Sequence, residues 1–265
     1  MNVRRIGSMP LASMVGICLL AALKTAAMGQ APNAKPAPTA QDVLPVYIEE
    51  FFLSEAVRSE DHGELQLTVN GMASLGRGSA ADGKSAGLDI EYGVTRRLQF
   101  GMELPYGIQS TASSELPVSW STLNASLLYQ FIRSNHPFAL SAAMGVNLPV
   151  TSRGGISYEP ELMAAKGFGK LQIHASVIPE LSEDDKSLEY NVAALRPIAH
   201  HLIPTLEFNG RRNSGVNSFY VTPGIYKHLP HRLEMGVGVP MGAGSHSSPI
   251  GVVIKVTWEI GGDDD

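Results

Sequence analysis

Cysteine is almost absent: Cys18 is the single one in 265 residues, and it falls in a segment that reads as a cleaved leader. The expected mature chain therefore has no disulfide, no cysteine-ligated zinc and no thiol nucleophile. Charge is scarce too, at 17% of residues where a soluble domain carries about 25%. That excludes an acidic or disordered chain, and the net charge of −5 excludes a general nucleic-acid surface. No apolar run reaches the roughly 20 residues of a membrane-spanning helix. There is no P-loop and no GxGxxG between a strand and a helix, so no cofactor is expected.

What is present begins with an address. Arg4 and Arg5 precede the apolar run Leu11 to Leu23, and Ala27-Met28-Gly29 places small residues for cleavage after Gly29. Residues 1–29 are thus expected to be a signal peptide. Residues 30–62 follow as a Pro/Ala-rich linker, QAPNAKPAPTAQ, and a periplasmic or plug segment, in which Asp42 to Arg58 fits a short helix and a strand equally. Residues 63–262 are the expected barrel, and 263–265 an acidic tail.

From Gly63 onward the pattern is alternation. Ala86, Leu88, Ile90, Tyr92 and Val94 share one face while Ser85, Gly87, Asp89, Glu91 and Gly93 share the other. The pattern resumes after Thr95-Arg96 and recurs to the run Ile250 to Ile260, giving twelve expected strands. A weak repeat supports the count. An aromatic, a short turn and an apolar residue opening a strand recur, with openers Leu98, Phe138, Leu171, Leu202 and Leu233.

Alternation fits a soluble sandwich as well as a membrane barrel; four features favour an antiparallel transmembrane β-barrel. One face is aliphatic on nearly every strand, and the runs suit a tilted bilayer span. The other face is rich in Gly, Ser, Ala and Asn. Short turns alternate with longer polar loops such as Ser110 to Pro117 and Arg211 to Asn217. Tyr92, Tyr129, Phe168 and Tyr226 precede short turns, as an interfacial girdle would. Pro204 and Pro223 oppose this reading, because a closed barrel offers no edge for a missing donor, so bulges are expected there. A bulge at Pro223 would also put Tyr226 out of phase with Phe219 and Val221.

The stretches SEAVRSEDHGELQLTV, GLDIEYGVTRRLQFGMELPYG and YKHLPHRLEMGVGVPMG resemble the MetA-pathway phenol-degradation family of transporter-like outer-membrane barrels. The resemblance runs from about Glu55 to Ile260. It implies a bacterial outer-membrane location and uptake of small molecules, aromatic or otherwise hydrophobic ones included. Such barrels commonly end on an aromatic, whereas here Trp258 is followed by EIGGDDD.

The polar face supplies the candidate residues. Asp89, Glu91, Glu103, Glu159, Glu161 and Glu180 are expected to line the lumen, as are Glu189, Glu207, Glu234 and Glu259. Arg97, Lys255 and His174 accompany them. So acidic an interior favours cations over anions. His174 and Ser176 share a face, as a base and nucleophile would, but face the lumen with no matching downstream Asn, which argues against a lipase. His200, His201, His228 and His231 sit at turns, where exposure is commoner than metal binding. The expectation is a non-enzymatic barrel passing small solutes, with outer-membrane lipids and the barrel-assembly machinery as partners. The alternatives are a non-conducting structural or adhesion barrel and an outer-membrane lipase.

Overall fold

The computed structural model describes residues 44–261 except 46, 76–82, 110–117, 121, 134–136, 151–154, 183–185, 200, 214, 244–246 and 248–249. The expected signal peptide, the Pro/Ala-rich linker, the loop Ser110 to Pro117, His200 and the acidic tail lie outside the described residues.

The described residues contain no helix and fourteen strand segments. They are β1 (Glu64–Leu75), β2 (Gly83–Thr95), β3 (Leu98–Gln109), β4 (Val118–Trp120), β5 (Thr122–Ile132), β6 (Phe138–Pro149) and β7 (Ser157–Phe168). The second half holds β8 (Leu171–Leu181), β9 (Lys186–Leu195), β10 (Leu202–Asn213), β11 (Val216–Leu229), β12 (Leu233–Gly238), β13 (Met241–Gly242) and β14 (Ile250–Gly261). β4 and β5 both pair with β3 and make one stave. β12 and β13 likewise both pair with β11 and β14. All pairings are antiparallel, and β14 returns to β1 from Glu64↔Gly261 to Leu75↔Ile250, closing a 12-strand barrel. Closure leaves no open edge, which lipid requires.

The twelve expected strands lie where alternation placed them, and the five repeat openers are the first residues of β3, β6, β8, β10 and β12. Side-chain phase follows as well. Phe131 and Trp258 point outward, 50% and 49% exposed, while Gln130 and Thr257 point inward at 1% and 2%. An outer face of bare apolar side chains is what a lipid environment stabilises. Tyr92, Tyr129 and Phe168 stand on that outer face near the end that carries both barrel termini.

Three expectations are corrected. The polar run Arg211 to Asn217 is not a long loop: Arg211↔Ser218 and Asn213↔Val216 extend the ladder, and Gly215 closes the turn at φ +86°. Both faces are polar there, so alternation disappears while pairing continues. Pro204 and Pro223 sit in register, with no bulge between β10 and β11. In a strand the N–H and C=O of one residue point the same way. The Pro223 carbonyl accepts from Val239 N, so its donor-less nitrogen faces the break between β12 and β13. The Pro204 carbonyl accepts from Arg196 N, just beyond the end of β9. Each missing donor thus falls where the neighbouring strand stops. Tyr226 is therefore in phase with Thr222 and Gly224, points inward at 1% exposed, and belongs to no girdle.

The inner face is not uniformly polar, because a length of irregular chain before β1 lies against it. Ile48, Phe51 and Phe52 pack with Ala193, Leu195, Ile203, Tyr226 and Val253. Leu44 and Val57 pack with Leu128, Ala139, Met163 and Ala165 in a second cluster. The described part of the segment expected to be helix or strand is neither: it is irregular chain with bends, and its apolar side chains find partners inside the barrel.

Candidate functional site: a plugged lumen and a polar vestibule

Irregular backbone inside a barrel leaves N–H and C=O groups without a ladder, and the wall supplies their partners. Glu207 of β10 accepts from the backbone N of Phe52 at 2.8 Å and of Leu53 at 2.9 Å. Lys255 of β14 donates to the Glu50 carboxylate and, at 2.6 Å, to the Phe51 carbonyl. His228 of β11 meets the Tyr47 carbonyl at 2.6 Å, which makes Nε2 the protonated ring nitrogen. Gln172 and Ser141 donate to the carbonyls of Pro45 and Val57, and Gln99 accepts from Glu60 N at 2.8 Å. Six staves therefore hold one short segment, and each anchor is a polar side chain on the inward phase of its strand.

Shape agrees with this bonding. The Phe52 ring stacks on Tyr226 with centroids 4.4 Å apart. It occupies a slot cleared by Gly224, Gly236 and Gly238, where an added Cβ would come within 2.1, 2.9 and 2.9 Å of that ring. At Gly93 of β2 an added Cβ would lie 1.9 Å from the Asp61 carbonyl, a backbone atom that cannot swing aside. Gly93→Ala is accordingly expected to loosen the segment, at about 1–3 kcal/mol of overpacking. The check is faster proteolytic cleavage between residues 44 and 62, with the heat-dependent gel mobility of the barrel unchanged.

Beyond the segment, toward the loops opposite the barrel termini, the lumen opens into a cavity of about 540 Å³. Its wall includes Glu103, Asn124, Asn147, Ser157, Glu159, Glu180 and Arg211. Most of this wall is tied together. Asn124 Nδ2 donates to Glu159 at 3.0 Å and to Asn147 Oδ1 at 2.9 Å, and Asn147 Nδ2 donates to Ser157 Oγ at 3.0 Å. Glu180 pairs with Arg211 at 2.7 Å and accepts from Ser157 and Ser187. Hydrogen bonding of this kind presents a rigid, water-accessible polar surface. Its carboxylates outnumber its one guanidinium among the described lining residues.

Most of the expected lumen residues fall into two groups. Glu103, Glu159 and Glu180 line the vestibule, with Asp89 beside Glu103 across the β2–β3 ladder and Glu189 near Asn191. Glu161, Glu207, Glu234, Lys255 and Glu91 face inward but are covered by the segment or bonded around it. They are anchors and neighbours of the closure, not an open wall. Arg97 does not line the barrel: it lies exposed in the turn between β2 and β3. His174 is packed edge-on against Phe51 at 4.8 Å and meets Gln172 at 3.3 Å, while Ser176 Oγ accepts from Asn191 at 3.2 Å. Base and hydroxyl each engage another partner. A plug segment holding Phe51 and Phe52 and a Gly-rich inner face were both expected; that Tyr226 turns inward to stack on Phe52 was not.

Comparison with solved structures finds the same fold in outer-membrane barrels at low identity. An outer membrane channel from Pseudomonas putida F1 superposes with TM-score 0.54 at 13% identity, covering 85% of this chain and all of that one. The KdgM porin, solved with disordered oligogalacturonate, gives 0.53 at 8% over 75% of this chain and 99% of that one. The NanC porin gives 0.54 at 9% over 72% and 97%. No protein-family model and no curated protein matches the sequence. The chain thus has the fold of outer-membrane channels and porins, with the resemblance to the phenol-degradation family standing on its motifs alone.

Proposed function

We infer that this chain forms a narrow passage for small solutes across the outer membrane, cation-preferring in its vestibule and closed at the periplasmic end by residues 44–62. The vestibule carries the inference: a cavity of about 540 Å³ walled by Glu103, Glu159 and Glu180 against Arg211. A unit charge about 8 Å from a permeating ion is worth about 0.5 kcal/mol in water. Two carboxylates in excess then enrich a monovalent cation roughly fivefold over a neutral solute before salt screens them. The vestibule so described suits a cation or a neutral compound better than a polyanion such as the oligogalacturonate of the KdgM structure. The motif resemblance adds small aromatic compounds to the solutes worth testing.

The test is the reversal potential of the reconstituted protein across a salt gradient. Cation selectivity is expected, and Glu103→Gln with Glu159→Gln should move the reversal potential toward zero. Anion selectivity, or no change in the double variant, would remove the vestibule from the account. The second reading, a non-conducting barrel, is favoured by the closure itself, and it predicts no conductance even when residues 44–62 are deleted.

A further inference from the structure

Three glutamates of the plugging segment touch glutamates of the wall. Glu49 is in side-chain hydrogen-bonding contact with Glu259 of β14, Glu55 with Glu161 of β7, and Glu50 with Glu91 of β2. Ionised carboxylates only accept hydrogen bonds, so two of them in contact require a proton or a shared donor. The third pair has donors: Gln66 Nε2 bonds Glu50 at 3.2 Å and Glu91 at 2.7 Å, and Lys255 bonds Glu50. Among the described residues no side chain is seen donating to both members of either of the other two pairs. Around Glu49 and Glu259 stand further acids, Glu60, Glu64 and Glu234, with Arg58 of the segment and Arg232 at the barrel end as the cations. His228 lies 3.2 Å from Glu234. Around Glu55 and Glu161 stand Glu50, Glu91, Glu103, Glu159 and Glu189, with Lys255 committed to Glu50 and Ser176 bonded to Glu161. Glu161 Oε1 is buried with no donor among the described residues.

We propose that residues 44–62 are clasped to the barrel by shared protons, one in the Glu49–Glu259 pair and one in the Glu55–Glu161 pair, so that the passage closes in acid and opens as the pH rises. Electrostatics on the segment agrees in sign. Burial first, and Glu259 second, push the Glu49 carboxyl up to about 8 from 4.5. Burial and then Glu161 raise that of Glu55 well above the carboxylate range. A carboxyl whose docked value lies above its released value stabilises docking fully below about 4.5, progressively less as pH climbs, and not at all above about 8. Release of the segment therefore expels protons. The consequence for transport rests on reading the segment as the closure of a channel, but the clasp itself does not.

The experiment reads docking directly. Val57→Cys places a thiol where the native side chain is 2% exposed, in the cluster with Leu128 and Met163. Its labelling by a membrane-impermeant maleimide is followed in the full mature protein in lipid vesicles, with native glutamates and in a Glu49→Gln/Glu55→Gln background. Both proteins are first shown to be folded by heat-dependent gel mobility. An amide donates to Glu259 and Glu161 at any pH, so the Gln background should stay docked. Labelling is expected to match in the two proteins at pH 5 and to be at least about tenfold faster with native glutamates at pH 8.5. Equal rates at pH 8.5 would overturn the clasp. Single-channel recording of the same pair then separates the two ideas: a pH-dependent label without conductance retains the clasp and refutes the channel, whereas conductance without pH-dependent labelling does the reverse.

Discussion

Deleting residues 44–62 is expected to raise the conductance of the reconstituted barrel by about an order of magnitude, because a twelve-strand wall leaves an open path only when nothing else fills it. The segment occupies the lumen at the level of Glu207, Tyr226 and Lys255 and is the only irregular chain described there. Its removal frees the Gly224, Gly236 and Gly238 slot and connects the vestibule to the opposite mouth. The wall loses little that it needs. Staves pair with staves throughout, from β1–β2 to β14–β1, and no ladder residue belongs to the segment. The exposed inner residues, among them Leu195, Ile203 and Val253, then meet water, which costs some stability without opening the cylinder. Single-channel recording checks this, with heat-dependent gel mobility as the control for folding. Unchanged conductance would refute the plug, and loss of the mobility shift would mean the segment is part of the barrel's core.

Lys255→Met should release the same segment without deleting anything. Lys255 is 7% exposed and Glu50 8%, and the ammonium also holds the Phe51 carbonyl. Breaking a buried ion pair by removing one partner typically costs about 3–5 kcal/mol, because the remaining charge is stranded. Here Glu50 would be stranded beside Glu91, with only Gln66 Nε2 as donor to both. Docking is then expected to weaken by at least about a hundredfold and open probability to approach that of the deletion. Lys255→Met combined with Glu50→Gln should recover most of the closure, since no charge is left unpaired. A double variant no better closed than Lys255→Met alone would show that the lysine acts mainly through Phe51.

Much of the barrel was legible because lipid imposes a rule that one strand can satisfy alone. Val252, Ile254 and Trp258 alternate with Lys255, Thr257 and Glu259 whatever β1 or β12 contains, so β14 could be drawn without its neighbours. The repeat openers were legible for a related reason: Leu98, Phe138, Leu171, Leu202 and Leu233 each restart the lipid-facing phase after a short turn. Where lipid ends, so does the signal. Arg211 and Arg212 continue β10 with polar side chains on both faces, and only the pairing with Asn217 and Ser218 identifies them as strand. Pro223 looked like a fault in the ladder because the break between β12 and β13 that receives its missing donor is contributed by another part of the chain.

The functional residues were half visible. Their inward phase followed from spacing, which placed Glu103, Glu159, Glu180, Glu207 and Lys255 on one side of the wall. Which of them face open water and which are covered depends on contacts over long sequence separations, such as Phe52 with Glu207 and Glu50 with Lys255. Nothing local in VYIEEFFLSEAVR selects helix, strand or plug. By itself, then, the sequence determined a twelve-strand antiparallel barrel with an apolar skin and an acidic interior, because those properties belong to each strand separately. The tertiary structure alone decided that Tyr226 turns inward to Phe52, that the glycines of β11 and β12 clear a slot, and that the acids part into an anchored closure and an open vestibule. Those outcomes depend on what closing the sheet brings together across the lumen, and periodicity along one strand holds no record of it.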